Sequence, residues 1–291
     1  MGAHRTVLSR LLGEPVVDLT AVSGGDVCKA FRVETAAGRV CFAKHHPREP
    51  RGMFTLEADG LRALRSAAAG ALGVPEVLVA TEHGAPSAWL VLEWVTPGQS
   101  SRQADAAFGR GLAALHQAAP PPVAPVNWLG PFVQRNHPVP TSSSWPDFWW
   151  THRLAPRVET AARSGQLPVA LRRRFDVLQA RIPELLGTLD PMSLLHGDLW
   201  SGNRITDDSG RPWLVDPAVC VGHREVDLAM MALFGGFGAA CWEAYGDRWP
   251  LAPGHDIRQA VYQLYYQLVH VELFGAAYLQ GLEQNLEVVG A

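Results

Sequence analysis

The residues best able to do chemistry stand in one run, His196-Gly197-Asp198-Leu199-Trp200-Ser201-Gly202-Asn203, with Asp216 thirteen positions beyond Asn203. An aspartate and an asparagine five apart on one loop, then an aspartate at the end of a following strand, meet the needs of phosphoryl transfer from Mg-ATP. One carboxylate accepts the proton of the attacking hydroxyl, and two oxygen donors hold Mg²⁺ on the phosphates. The spacing fits the pattern H-x-D-L-x-x-x-N followed by a metal-binding aspartate. Asp198 is accordingly the candidate catalytic proton acceptor, and Asn203 and Asp216 are the candidate metal ligands. A polar turn satisfying its own backbone would also use Asp, Gly and Asn. That bland reading leaves unexplained both Asp216 and the apolar runs Leu194-Leu195 and Trp213-Leu214-Val215 that flank the loop.

The amino-terminal half contains residues suited to hold the nucleotide. Of 25 basic residues only Lys29 and Lys44 are lysines. A chain that uses arginine for ordinary positive charge retains a lysine where a compact ammonium is needed. Lys44 closes a predicted strand, where it can reach the α- and β-phosphates, and Glu57 on the next helix is spaced to pair with it. Gly24 and Gly25 precede that strand pair and let the backbone approach phosphates closely. Glu93, Trp94 and Val95 end the last strand of this half, where backbone groups of a hinge would meet adenine.

These groups need elements to carry them. Residues 27–35 and 39–45, separated by Ala36-Ala37-Gly38, read as a hairpin. Residues 54–69 have the periodicity of a helix, and 75–80 and 88–95 read as two more strands. Thr96-Pro97-Gly98 is a turn and hinge. Beyond it the sequence becomes helical: 104–116, 145–164 and 169–186, with a Pro-rich stretch and loop between the first two. A last long helix has Ile257, Val261, Leu264, Leu268, Val271 and Gly275 at three- and four-residue steps, a core-facing stripe. The expected fold is α+β: a small antiparallel-sheet lobe with one helix (residues 1–95), a larger mainly helical lobe (96–291), and the site in the cleft between them.

Composition sets the outer limits. The chain has 291 residues, 47% of them hydrophobic, and a formal charge of −3, with 25 Lys and Arg against 28 Asp and Glu. That is enough apolar content for a substantial core, and the balance gives no general attraction to nucleic acid or an anionic membrane. No apolar run is long enough to span a bilayer. Cys28, Cys41, Cys220 and Cys241 are scattered, which points to reduced thiols in a cytoplasm rather than a disulfide framework or structural zinc.

Longer strings narrow the reading. Leu195 through Asn203, Asp216-Pro217-Ala218, Gly222 through Met230, Phe234-Gly235-Gly236-Phe237, Tyr262-Gln263-Leu264-Tyr265, Trp128-Leu129-Gly130 and Trp145 through Arg153 resemble the fructosamine/ketosamine 3-kinases. These belong to the larger protein-kinase-like group with aminoglycoside phosphotransferases and choline kinases. The resemblance runs from about Gly24 to Tyr278. It implies an ATP- and Mg²⁺-dependent kinase acting on the sugar 3-hydroxyl of ketoamines, free or protein-bound, whose unstable product leads to deglycation. It also implies Asp198 as base, Asn203 and Asp216 on Mg²⁺, Lys44 with Glu57 on the phosphates, and residues 93–95 on adenine. A protein kinase is disfavoured because G-x-G-x-x-G, D-F-G and A-P-E strings are missing.

Trp200, inside the loop, is the candidate substrate wall, and His270 on the last long helix is a second group able to face the cleft. Cys28 reads as a small buried residue rather than a redox sensor, since Asp26 stands where some relatives carry a cysteine after the glycines. Arg224 and Glu225 read as an ion pair bracing the loop after Asp216. The alternative substrates are an aminoglycoside or a choline-type amino alcohol, although the second half lacks the run of carboxylates a polycation would favour. A nucleotide-binding pseudokinase is the non-enzymatic alternative. It would be expected to have lost Lys44, Asp198, Asn203 or Asp216, and all four are present.

Overall fold

The computed structural model describes residues 2–22, 28–47, 52–82, 84–85, 87–187 and 189–291. Gly24 and Gly25 lie outside the described residues. The expected hairpin is present as β2 (Lys29–Thr35) and β3 (Val40–His46), antiparallel, with Lys29 opposite His45 and Glu34 opposite Val40. Two more expected strands are β4 (Val77–Ala80) and β5 (Ala88–Glu93), so Trp94 and Val95 fall just past the strand end. An additional edge strand, β1 (Val16–Val22), completes a five-stranded sheet of order β1-β2-β3-β5-β4.

Strand alternation divides this sheet into two faces. Phe31, Val33, Cys41, Ala43, Trp89 and Val91 form one core with Leu8 of a helix not anticipated from sequence, α1 (Gly2–Leu12). The expectation of a single helix in this lobe is therefore corrected to two. Ala88, Leu90 and Leu92 face the other way, onto α2 (Met53–Ala68), which buries Phe54, Ala58, Leu61 and Leu64 at helical spacing. Lys44 pairs across the sheet with Leu90 and so belongs to this second face. The pleat alone aims the lysine at the helix that carries Glu57.

The second part begins at α3 (Arg102–Gln117), capped by Ser101 Oγ, which accepts the Ala104 N–H. The following Pro-rich segment is not all loop: β6 (Val126–Leu129) and β7 (Phe132–Arg135) form an antiparallel hairpin there. The helix expected over 145–164 is α4 (Trp145–Trp149), one π turn (Trp150–Leu154) and α5 (Ala155–Arg163). Pro156, lacking an N–H, cannot continue the α ladder to His152, and Arg153 Nη1 donates to the His152 carbonyl instead at 3.2 Å. Then come α6 (Val169–Leu186), the ribbons β8 (Ser193–Leu195) with β11 (Cys220–Gly222) and β9 (Arg204–Thr206) with β10 (Pro212–Leu214), and α7 (Glu225–Phe234). Helices α8 (Ala239–Arg248), α9 (His255–Phe274) and α10 (Leu279–Val288) close the chain. Val261, Leu264, Leu268 and Val271 of α9 are fully buried, as their stripe required. No described helix is long and apolar enough to cross a membrane.

The two parts join by backbone hydrogen bonds as well as by chain connection. Gly73 N–H donates to the Pro212 carbonyl at 2.9 Å and Leu214 N–H to the Gly73 carbonyl at 2.9 Å. The Trp213 ring occupies the position a Cβ on Gly73 would need.

Candidate active site

The loop after β8 is fixed before any of its polar side chains acts. Asp227, fully buried in the first turn of α7, accepts the His196 N–H at 2.7 Å and the Gly197 N–H at 2.8 Å. His116 Nε2 lies 3.2 Å from the same carboxylate, and Tyr245 Oη lies 2.9 Å from His116 Nδ1. Arg224 Nη1 donates to Tyr245 Oη at 3.3 Å. Because arginine can only donate, the tyrosine proton goes to His116 Nδ1, and His116 donates through Nε2 to Asp227. Tyr266 Oη of α9 donates to the Gly197 carbonyl from the other side at 3.3 Å. Gly197 has φ +82°, and a Cβ there would sit 2.0 Å from the Ala218 carbonyl oxygen, so only glycine fits.

His196 does not point at substrate. Its Nε2 donates to the Val215 carbonyl at 2.9 Å and its Nδ1 accepts the Asp198 N–H at 3.3 Å. Burial pushes its pKa down, against the pull of Asp227, and the neutral ring is the form able to make both bonds. The imidazole thus ties the strand leading to Asp216 to the residue that carries the candidate base.

Around Asp198 the polar groups converge. Asn203 Nδ2 donates to the Asp198 carbonyl at 2.8 Å and to Asp198 Oδ2 at 3.1 Å, with the Asp216 carbonyl at 3.3 Å. Three acceptors around one nitrogen fix the amide orientation and leave Oδ1 as the oxygen available to a cation. Burial raises Asp198 to about 7, opposed by the Asn203 hydrogen bond. Asp216 has φ +55°, a left-handed conformation that is strained for a residue with a side chain. Lys44 Nζ lies 2.8 Å from Glu57 Oε1 and 2.6 Å from Asp216 Oδ1. Burial disfavours its charge, but Asp216 and Glu57 outweigh burial and hold its pKa above the usual lysine value. Burial likewise pushes Glu57 up, with Lys44 working against it.

A cavity of about 370 Å³ is lined by Lys44, Glu57, Asp198, Trp200, Asn203 and Asp216, among others. The sequence points to all six, and the fold brings them together from β3, α2 and the two loops that follow β8 and β10. Trp200, 44% exposed, lies over Gly202 at this cavity. Asn203 and Asp216 offer hard oxygen donors, the set Mg²⁺ takes when phosphates and water complete its shell. Among the described residues no group of three or more His, Cys, Asp and Glu forms a metal cluster.

Other expectations fare differently. Glu93, Trp94 and Val95 do not line that cavity. The Glu93 N–H donates to the Glu76 carbonyl, and its carboxylate faces Arg65 and the Glu76 N–H. Trp94 carries Arg32 over its ring at 5.8 Å. A second recess of about 330 Å³ begins just past these residues, bordered by Pro97, Gly98, Ser201 and Ile205. His270 lies among the Phe234, Phe274 and Tyr278 rings, with Nδ1 2.8 Å from the Tyr266 carbonyl, and does not line either cavity. Cys28 is half-buried: it packs against the core on the second face of the sheet and also lines the main cavity. The Arg224–Glu225 pair is a correction: Arg224 pairs with Asp190 at 3.0 Å and Glu225 with Arg258 at 2.7 Å. Adjacent residues at a helix start diverge by about 100° and cannot face one another.

Residues 2–289 match the fructosamine kinase family model, and the chain belongs to that family. It is 37% identical to a protein of Enterococcus faecium described as a probable ketoamine kinase, over 97% of this chain and 98% of that one. A protein-ribulosamine 3-kinase of Oryza sativa subsp. indica is 29% identical over 90% of this chain and 76% of its own. Among solved structures, a Thermobifida fusca protein described as a fructosamine-3-kinase superposes with TM-score 0.86 at 31% identity, covering 99% of both chains. An aminoglycoside phosphotransferase solved with ADP and hygromycin B shares the fold at TM-score 0.66 and 16% identity, covering 99% of each chain.

Proposed function

We propose that this protein uses Mg-ATP to phosphorylate the sugar 3-hydroxyl of ketoamines, the adducts that reducing sugars leave on amines, and so initiates deglycation. The observation that carries this reading is the convergence of Asp198, Asn203, Asp216 and the Lys44–Glu57 pair at one cavity in a chain of the fructosamine kinase family. Residues 1–95 present the nucleotide, and residues 96–291 supply the base and the acceptor pocket. The base of the nucleotide lies toward residues 93–95 and the recess beyond them.

Lys44 holds the phosphates, kept extended by Glu57, and gives up part of its contact with Asp216 when the nucleotide arrives. Asn203 and Asp216 are the residues that would hold Mg²⁺, which when bound neutralises charge on the phosphates. Asp198 faces the acceptor hydroxyl. As the sugar oxygen bonds to the γ-phosphorus, the bond to the β–γ bridging oxygen breaks, the hydroxyl proton passes to Asp198, and ADP leaves. A carboxylate raised by burial is a better proton acceptor than one in water. No phosphoenzyme is needed, because nucleophile and donor meet in one cleft. In the product the phosphate stands on C3, next to the C2 carbonyl. Loss of a C1 proton gives the 1,2-enaminol, which expels phosphate from C3, and water then hydrolyses the C1 imine to the free amine and a 3-deoxy dicarbonyl sugar.

The test is product analysis. Incubation with Mg-ATP and a small fructosamine or ribulosamine should give a phosphate ester whose ³¹P signal couples to the proton on C3, followed by inorganic phosphate and free amine. A stable ester at any other hydroxyl would overturn the assignment.

A further inference from the structure

Glycine is a poor choice for a helix interior, less favourable than any residue but proline. Gly60 nevertheless stands buried in the middle of α2. The space around it explains why. A Cβ at this position would lie 2.9 Å from Val219 Cγ2 and 3.3 Å from Val219 Cβ, with Pro217 Cγ at 3.8 Å. Val219 has little room to yield. Its β-branched side chain is stiff, and it is buried. Its carbonyl accepts Asn127 Nδ2 at 2.8 Å and Asn136 Nδ2 at 3.2 Å.

The contact falls beside the nucleotide machinery on both sides. Residues three and four apart share a helix face, so Gly60 lies one turn beyond Leu56 and Glu57, both of which line the main cavity. Glu57 in turn holds Lys44 Nζ at 2.8 Å. Across the contact, Pro217 and Val219 stand one and three residues beyond Asp216. The strand before Asp216 is tied to the turn that follows α2, where the Leu214 N–H donates to the Gly73 carbonyl at 2.9 Å. Both flanks of Asp216 are therefore fastened to α2 or to its exit. One apolar core runs through this seam: Phe54, Ala58, Leu61 and Leu64 of α2 belong to it together with Leu214 and Val219. Among the described residues, the core on the sheet's other face draws on the small lobe alone.

Resting on the ATP-dependent reading above, we propose that Gly60 is a positioning residue for the nucleotide. By seating α2 directly on Val219 it joins the helix to the larger lobe. Glu57 then stays beside Lys44 and the Asp216 segment whether or not nucleotide is bound. Where a helix carrying such a glutamate can swing, the ion pair becomes a switch. Here the seat removes that freedom, and the phosphate-binding wall stands assembled before the nucleotide arrives.

The test is calorimetric binding of Mg-ATP to the full chain, with ketoamine kinetics alongside. Gly60→Ala levers α2 away from Val219 and carries Glu57 with it. Mg-ATP should bind about tenfold more weakly, while the ketoamine KM holds. Val219→Ala in the same chain makes room for the added methyl group. The double variant should bind Mg-ATP within about twofold of Val219→Ala alone, a rescue that general destabilisation would not give. If Gly60→Ala fails to fold, Val219→Ile adds a carbon from the other side of the contact and should show the same loss in milder form. Unchanged Mg-ATP affinity in whichever variant folds, or a loss that Val219→Ala does not relieve, would overturn the proposal. A wild-type chain that binds no Mg-ATP would instead overturn the nucleotide reading on which it rests.

Discussion

The catalytic loop and the strand bearing Lys44 face one cavity but are held in contrasting ways. Asp227, His116, Tyr245 and Tyr266 fasten the loop through its backbone, so its geometry survives the loss of any one exposed side chain. Lys44 is held by charge, through two carboxylates at 2.8 and 2.6 Å. Hydrogen bonds to buried backbone are directional and little affected by ligand, whereas an ammonium between two carboxylates can exchange one partner for a phosphate. Rigidity and adaptability therefore sit apart: the loop proposed to meet the acceptor hydroxyl is fixed, and the lysine proposed to meet the nucleotide can trade contacts.

Substitutions can break this contrast at either wall. The largest effect belongs to Asp198→Asn, which leaves the loop's backbone fastenings intact and removes the proton acceptor. Steady-state kinetics should show kcat down by about a thousandfold, with ATP affinity, measured by calorimetry, little changed. Next comes Lys44→Met, which strips the nucleotide of its charged partner and leaves Glu57 buried without a counter-charge. The ATP KM should rise about tenfold to a hundredfold, and Lys44→Arg should restore little, because a planar fork does not fit where a point charge bridges two carboxylates.

Smaller effects sharpen the same contrast. Tyr245→Phe leaves His116 Nδ1 without its donor, three links from the reacting atoms. We expect kcat to fall about two- to fivefold with both KM values unchanged; a rise in ATP KM instead would mean that the loop and the lysine are not held independently. The last effect is on stability rather than on turnover. Burial, reinforced by Arg258 and Arg224, pushes His223 down to about 3. Between pH 6.5 and that value the unfolded imidazole binds a proton that the folded one refuses. Stability is therefore full above pH 6.5 and declines on acidification, by at most about 1.4 kcal/mol per pH unit for this residue. Thermal melts between pH 7 and 5 should be less steep for His223→Gln.

How far the sequence disclosed all this follows from separation along the chain. The spacing from His196 to Asp216 is local, and the loop's candidate groups do meet at one cavity. Lys44 and Glu57 were legible because strand alternation and helical periodicity each fix a face. The anchor of the loop was not, since His116 and Asp227 are far apart in sequence and a buried histidine has no local mark. The β6–β7 hairpin was hidden among prolines, and α1 by its single fully buried residue, Leu8. Arg224 and Glu225 do not pair because successive residues on a helix point about 100° apart. His270 went to an aromatic cluster because rings offer an imidazole as much contact as a cleft does.

The central claim is best tested by ADP release with Mg-ATP against fructose-lysine, ribulose-lysine, an aminoglycoside and choline, with Asp198→Asn as the blank. Turnover is expected on the two ketoamines alone, abolished in the variant. Turnover confined to the aminoglycoside or choline, or silence on all four with ATP still bound, would contradict it.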